Sequence, residues 1–267
     1  MSHFRALPRL FLLPMALTLA LGCGSSGSSQ QVVDPTDVAG SDESNDDARF
    51  RWQDALLPEQ NRGEVVSETF GEHVALYHDG HVYASNGEDI TAPIMSSIYP
   101  VALSSQDHRG QTWAIIGIGS GIELGVALSM SPNRVDLYEP KEVLLNRAED
   151  LVETNHLRFE GGRPHHERLR LISRLNDENE TAPTYDIIVH SVGMSIISQP
   201  HRLFSVERFQ ALMALLSPGG RLVLHLQLYD IRHETVQELM RTFAAAIPHV
   251  TVMVPVEFAS DTIIVGS

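Results

Sequence analysis

Cysteine is nearly missing from this chain of 267 residues: Cys23 stands alone, so neither an intramolecular disulfide nor a cysteine-based zinc site can form. Basic residues are scarce too, 19 Lys and Arg against 34 Asp and Glu, for a formal net charge of −15. A surface of that sign repels phosphate backbones and excludes nucleic acid as a partner. The 13 histidines would add some charge at acidic pH without reversing the balance. Among them His165, His166, His225, His233 and His249 show no metal-ligand spacing, so structural or solvated roles are expected and no metal. The N-terminal apolar run, Leu10 to Leu21, is interrupted by Pro14 and Thr18 and is too short to span a bilayer comfortably. No internal repeat is visible. The chain is 43% hydrophobic, ample for a packed core, and its length suits one large domain or two small ones.

That apolar run follows Arg5 and Arg9 and ends in Gly22-Cys23-Gly24, the charged, apolar and small-residue regions of an export signal over residues 1–22. Leu21-Gly22-Cys23 resembles the bacterial lipobox, whose cysteine is acylated and becomes the mature first residue; Ala20 departs from the leucine usual there. The resemblance implies lipidation at Cys23 and anchoring to the cell envelope, at the outer or inner membrane; an ordinary cleaved signal is the alternative. Residues 23–50 follow as Gly, Ser, Gln, Asp and Asn with six acids and almost no large apolar side chain until Phe50. Such a segment buries too little apolar surface to offset its ordering entropy and reads as a flexible tether.

Folded structure is expected from Arg51. Between Val65 and Ser85 apolar and polar residues alternate, and Asp79-Gly80 is a hairpin signal, so residues 51–90 read as a small β-hairpin unit. Helical spacing from Thr91 to Leu103 carries a candidate break before Pro100. Beyond it, apolar strands alternate with amphipathic helices: strands at Trp113–Ile116, Arg134–Tyr138, Leu169–Ile172, Asp186–Val189 and Arg221–Leu226, and helices at Ile122–Met130, Lys141–Thr154, Ser205–Leu216 and His233–Ala246. This alternation predicts an α/β fold over residues 91–267, doubly wound around a mostly parallel Rossmann-like sheet. The last two strands, Val250–Val254 and Thr262–Val265, lack a helix between them and read as an antiparallel hairpin at one edge.

Gly117-x-Gly119-x-Gly121 closes a strand and opens a helix, where glycines let a ligand approach the backbone and the helix N-terminus offers free N–H groups. Glu139 ends the next strand about twenty residues on, placed to accept ribose hydroxyls. Nicotinamide cofactors fit this pairing as well. Ser217-Pro218-Gly219-Gly220 favours the methyltransferase-like class, though it is also simply a good helix stop.

The segment Leu76-Tyr77-His78-Asp79-Gly80-His81-Val82-Tyr83-Ala84-Ser85-Asn86-Gly87-Glu88-Asp89 resembles the spermidine synthase hairpin and its acidic pair. The glycine loop, Glu139, Tyr185 to Val189, Leu203-Phe204-Ser205, the Pro-Gly-Gly turn and Asp261 to Ser267 follow in that family's order. The resemblance implies the class I S-adenosylmethionine-dependent fold. It also implies a nucleoside pocket at Gly117, Gly119, Gly121 and Glu139 for S-adenosylmethionine or its decarboxylated form, and a homo-oligomer. The departures fall where the chemistry belongs. The family's loop aspartate is Ser120 here, and its Tyr-x-Glu on the early helix is Ala92-Pro93-Ile94. A hairpin glutamine is Tyr83, and the catalytic Asp-Ser-Ser-Asp reads His190-Ser191-Val192-Gly193. An acid beside the adenine aligns with Ser173 and Arg174, or alternatively with Gly161 and Gly162.

Polyamines are multiply charged and need paired carboxylates when buried, and aminopropyl transfer needs a base; losing four acids argues against a polyamine acceptor. His190 is the one replacement base, against the plainer reading of a loop histidine bonded to backbone. S-adenosylmethionine is a cytoplasmic metabolite, so export weighs in the same direction as the missing acids. The readings that remain are a non-catalytic family member at the envelope and a transferase moving a methyl or aminopropyl group to another acceptor. A true aminopropyltransferase with a rearranged site is the third.

Overall fold

The computed structural model describes residues 65–70, 73–78, 81–87, 90–104, 109–172, 184–192, 204–228, 232–255 and 261–267. Cys23, the export signal, the tether and the Asp79-Gly80 turn lie outside them. Strands β1 (Val65–Phe70), β2 (His73–His78) and β3 (His81–Ser85) make an antiparallel sheet in that order, so the expected hairpin is the inner half of a three-stranded unit. Its alternation has a cause: Leu76 and Ala84 are buried and pack against Leu151 of the main domain.

Helix α1 (Thr91–Ala102) runs through Pro100 instead of breaking before it. Its buried face, Ala92, Pro93, Ser96, Ser97 and Pro100, packs on the domain, and that packing offsets the one backbone hydrogen bond a proline removes. Then follow β4 (Thr112–Ile116), α2 (Ile122–Ser129), β5 (Arg134–Tyr138) and α3 (Glu142–Arg147). A 3₁₀ turn (Ala148–Leu151) and α4 (Val152–Asn155) interrupt what the periodicity predicts as one continuous helix. A small hairpin, β6 (Arg158–Glu160) and β7 (Arg163–His165), was not legible as strands because each is so short; its Gly161-Gly162 turn has φ of 59° and 77°, as a type I′ turn requires. The chain ends with β8 (Leu169–Ile172), β9 (Tyr185–Val192), α5 (Val206–Ala214), β10 (Leu216–Gln227), α6 (His233–Ala246), β11 (Val250–Met253) and β12 (Asp261–Gly266).

Seven strands form the main sheet in the order β11-β12-β10-β9-β4-β5-β8. Neighbours from β10 to β8 run parallel, while β12 is antiparallel to both β10 and β11. The C-terminal hairpin is therefore present, with its second strand inserted inside the sheet and its first at the edge. The central strands read as continuous apolar runs because both faces are covered. Trp113, Ile115, Leu137, Val189 and Val223 pack beneath α1, α2 and α3, and Ile116, Ile188 and Leu224 pack with Phe209 and Phe243 of α5 and α6. Within β10 the pairing with β9 breaks after Leu216 and resumes at Arg221, so the Ser-Pro-Gly-Gly turn is a bulge, tied by the Ser217 hydroxyl to Asp186.

Candidate functional site

The three loop glycines sit between β4 and α2 with φ of 85°, 53° and 80°. Gly117 donates its N–H to the Tyr138 carbonyl at 2.9 Å, and a Cβ there would stand 2.6 Å from the Ser191 carbonyl oxygen. The loop is thus wedged between β5 and β9, and no larger residue fits. Asn155, which the sequence did not single out, holds the loop's far end: its Nδ2 donates to the carbonyls of Ser120 at 3.0 Å and Ala148 at 2.8 Å, and its Oδ1 accepts from the Leu157 N–H at 2.9 Å.

Glu139 stands beside the loop. Its Oε2 accepts from the Ile118 N–H at 3.1 Å and its Oε1 from the Lys141 N–H at 3.0 Å. Burial pushes its carboxyl above the usual range, and those two N–H groups pull the other way. Gly117, Gly119, Gly121 and Glu139 are therefore brought together. Tyr83 joins them from β3. Its hydroxyl donates to Glu139 Oε2 at 3.5 Å, and its oxygen faces the Gly119 N–H. Burial, then the Glu139 charge, pushes its phenol well above 10, so the proton stays on the oxygen. The phenol of Tyr83 thus reaches both Glu139 and the glycine loop.

His190 lies within β9, not in a loop after it. Arg208 of α5 donates from a guanidinium nitrogen to His190 Nε2 at 2.6 Å, and both side chains are buried. Burial, then the Arg208 charge, holds the imidazole well below 6.5, so it is neutral and already accepting. It faces α5, while its neighbour Ser191 faces α2 and the cavity described next. Gly193, Ser173 and Arg174 lie outside the described residues. Gly161 and Gly162 form the turn of the β6–β7 hairpin, a two-stranded sheet separate from the main one.

Tyr83, Ser120, Glu123, Ser191, His225 and Gln227, among others, line a small cleft partly open to solvent. Its floor is a buried chain of charged groups. Glu123, in the first turn of α2, accepts on Oε1 from the Ser191 hydroxyl at 2.9 Å and lies 3.3 Å from His225 Nδ1; His225 Nε2 lies 3.2 Å from Asp261 Oδ1. Burial alone would drive the imidazole down, but hydrogen bonds to Asp261 and Glu123 outweigh it and its pKa is pushed up to about 9. His225 is an imidazolium at neutral pH, shared by two carboxylates. The sequence carried a signal here that alternation rules pass over: a histidine inside Leu222-Val-Leu-His-Leu226 and an acid inside the apolar start of α2. Among the described residues no group of three or more His, Cys, Asp or Glu side chains could hold a metal ion, and no helix is long and apolar enough to cross a membrane.

This architecture matches solved structures. A spermidine synthase in complex with the transition-state analogue AdoDATO superposes with a TM-score of 0.57 at 16% identity, over 76% of this chain and 73% of that one. The fold is that of the spermidine synthases. The enzyme from Thermotoga maritima gives a TM-score of 0.55 at 18% identity, over 76% of this chain and 72% of its own. A probable spermidine synthase from Corynebacterium glutamicum gives 0.55 at 16%, over 77% of each chain. No protein-family model matches the chain, and comparison with curated protein sequences finds no match.

Proposed function

We propose that this chain is a spermidine-synthase-like protein of the cell envelope in which the nucleoside pocket is closed by Tyr83 and aminopropyl transfer is lost. The observation that carries the reading is the Tyr83 hydroxyl seated between Glu139 and the Gly119 N–H. A nucleoside must displace it, giving up a hydrogen bond to a charged group, about 2 kcal/mol or roughly 30-fold in affinity. The four acids absent at Ile94, Ser120, His190 and Gly193 support the loss of transfer, and Leu21-Gly22-Cys23 supports envelope attachment.

Calorimetric titration with S-adenosylmethionine, its decarboxylated form and methylthioadenosine tests it. The expected result is micromolar binding by Tyr83→Gln and binding roughly 30-fold weaker by the unaltered chain. Micromolar binding by the unaltered chain, lost in Glu139→Ala, overturns it. That outcome would favour the second reading, transfer of a methyl or aminopropyl group to another acceptor, which draws on the retained glycine loop and Glu139.

A further inference from the structure

The sheet that carries Tyr83 is a unit of its own. β2 pairs with β1 along its whole length and with β3 on its other side. Asn86 extends the unit by one residue: its N–H donates to the Val74 carbonyl at 3.1 Å, and its Oδ1 accepts from the Val74 N–H at 2.6 Å. The sheet precedes the main domain in the chain, so a single connection, leaving Asn86, joins the two. A unit tied at one end can turn without threading past another segment. Gly87 opens that connection. Among the described residues, a Cβ built there would meet one atom within 4 Å, Ser85 Oγ at 3.6 Å. The Gly87 N–H donates to Ser85 Oγ at 3.3 Å and its carbonyl accepts from the Ile90 N–H at 3.4 Å, both long bonds that constrain glycine little.

The seat of this sheet is small. Leu76 and Ala84 pack against Leu151, Val65 reaches the main core, and β1 abuts α3. The Tyr83 ring packs against both of those clusters, so it leaves with its strand and not by a turn of its own side chain. Its bond to Glu139, at 3.5 Å, lies at the long limit. Glu139 does not depend on that bond. Each of its oxygens already accepts a backbone N–H, one from Ile118 and one from Lys141. Withdrawing the phenol therefore leaves no buried carboxylate oxygen orphaned, the penalty that usually keeps a buried polar contact shut.

We propose that the β1–β3 sheet is a hinged cover over the glycine loop, turning at Gly87 and latched by Tyr83. Lifting carries the phenol away from Glu139 and Gly119 together, and reseating Leu76 and Ala84 on Leu151 closes the pocket again. The proposal rests on the reading of a nucleoside pocket closed by Tyr83. It makes closure a reversible property of a whole unit, governed in part by residues that touch no ligand.

The test follows maleimide labelling of Leu76→Cys in a full chain that also carries Cys23→Ser, which leaves the introduced thiol as the single one. Leu76 is fully buried, so this thiol reacts when the sheet lifts. The expected result is labelling at least about tenfold faster than at Ala114→Cys, a buried site in β4 that reports opening of the main domain. Tyr83→Phe removes the latch and speeds labelling about fivefold, while Gly87→Ala stiffens the hinge and slows it about threefold. Val74→Cys, in the same cluster, serves if the Leu76→Cys chain does not fold. Equal rates in the sheet and in β4, or a rate indifferent to Tyr83→Phe or to Gly87→Ala, would each overturn the proposal. No nucleoside is present in this test. The sheet can thus prove immobile over a closed pocket, and the titrations above can fail while the sheet lifts.

Discussion

Raising the pH from 6.5 to 9 withdraws protons from the unfolded chain before it withdraws them from the folded one at His225. The folded imidazole holds its proton up to about 9, the unfolded one only to 6.5. Stability from this group is therefore complete below 6.5 and is lost as the pH climbs through 9. One proton of difference is worth about 1.4 kcal/mol per pH unit, so the interval removes on the order of 3 kcal/mol. His190 acts with the opposite sign: held well below 6.5 in the folded state, it weakens the fold as the pH falls beneath 6.5. The two histidines together place a stability maximum near pH 6.5. Urea denaturation at pH 5.5, 6.5, 7.5 and 9 reads this directly, and a loss of ~3 kcal/mol moves the midpoint by on the order of 1 M. His225→Gln keeps a polar side chain but cannot titrate, so its midpoint is lower at pH 6.5 and flat up to 9. A slope that survives in His225→Gln, or a flat curve in the unaltered chain, would refute the assignment of a buried imidazolium.

Much of the fold was legible because its signals are local and redundant. The β4 run ends in glycines that only a tight strand-to-helix turn accommodates, and β5 ends in Glu139; both landed where periodicity placed them. Insertion of β12 between β10 and β11 was hidden, since it depends on pairing across the sheet and not on either strand's own pattern. The interruption of the helix after Arg147 was hidden for a similar reason. The Ala148 carbonyl that accepts from Asn155 gains a partner the isolated helix could not anticipate.

The site was legible only by halves. Glu139 and the glycine loop announce themselves by spacing, yet spacing does not reveal that Tyr83 reaches them from a separate sheet, 56 residues away. Glu123, His225 and Asp261 lie on three different elements, with 102 residues between the first pair and 36 between the second. No sequence window contains them, and each alone reads as an ordinary polar residue. His190 shows the reverse error. A strand alternates its side chains, so a one-residue difference in reading puts Ser191 at the cavity and His190 against Arg208.

Two further perturbations test what holds the site and where the chain resides. Cys23→Ala is expected to abolish incorporation of labelled palmitate during growth and to release the protein from the membrane fraction; labelling that persists in the variant refutes anchoring through Cys23. Gly117→Ala tests whether the glycine loop is shaped by packing as much as by ligand. Its φ of 85° is strained for alanine, worth about 1 kcal/mol or more, and the new Cβ would meet the Ser191 carbonyl oxygen at 2.6 Å. Ser191 pairs with His225 of β10 and directly follows the last β4–β9 pair, Ile116 with His190, so its oxygen has little room to retreat. The combined loss is expected to reach about 3 kcal/mol and to lower the melting temperature by several degrees with no ligand present. A variant as stable as the unaltered chain would mean that the loop can relax, and that its glycines serve ligand approach alone.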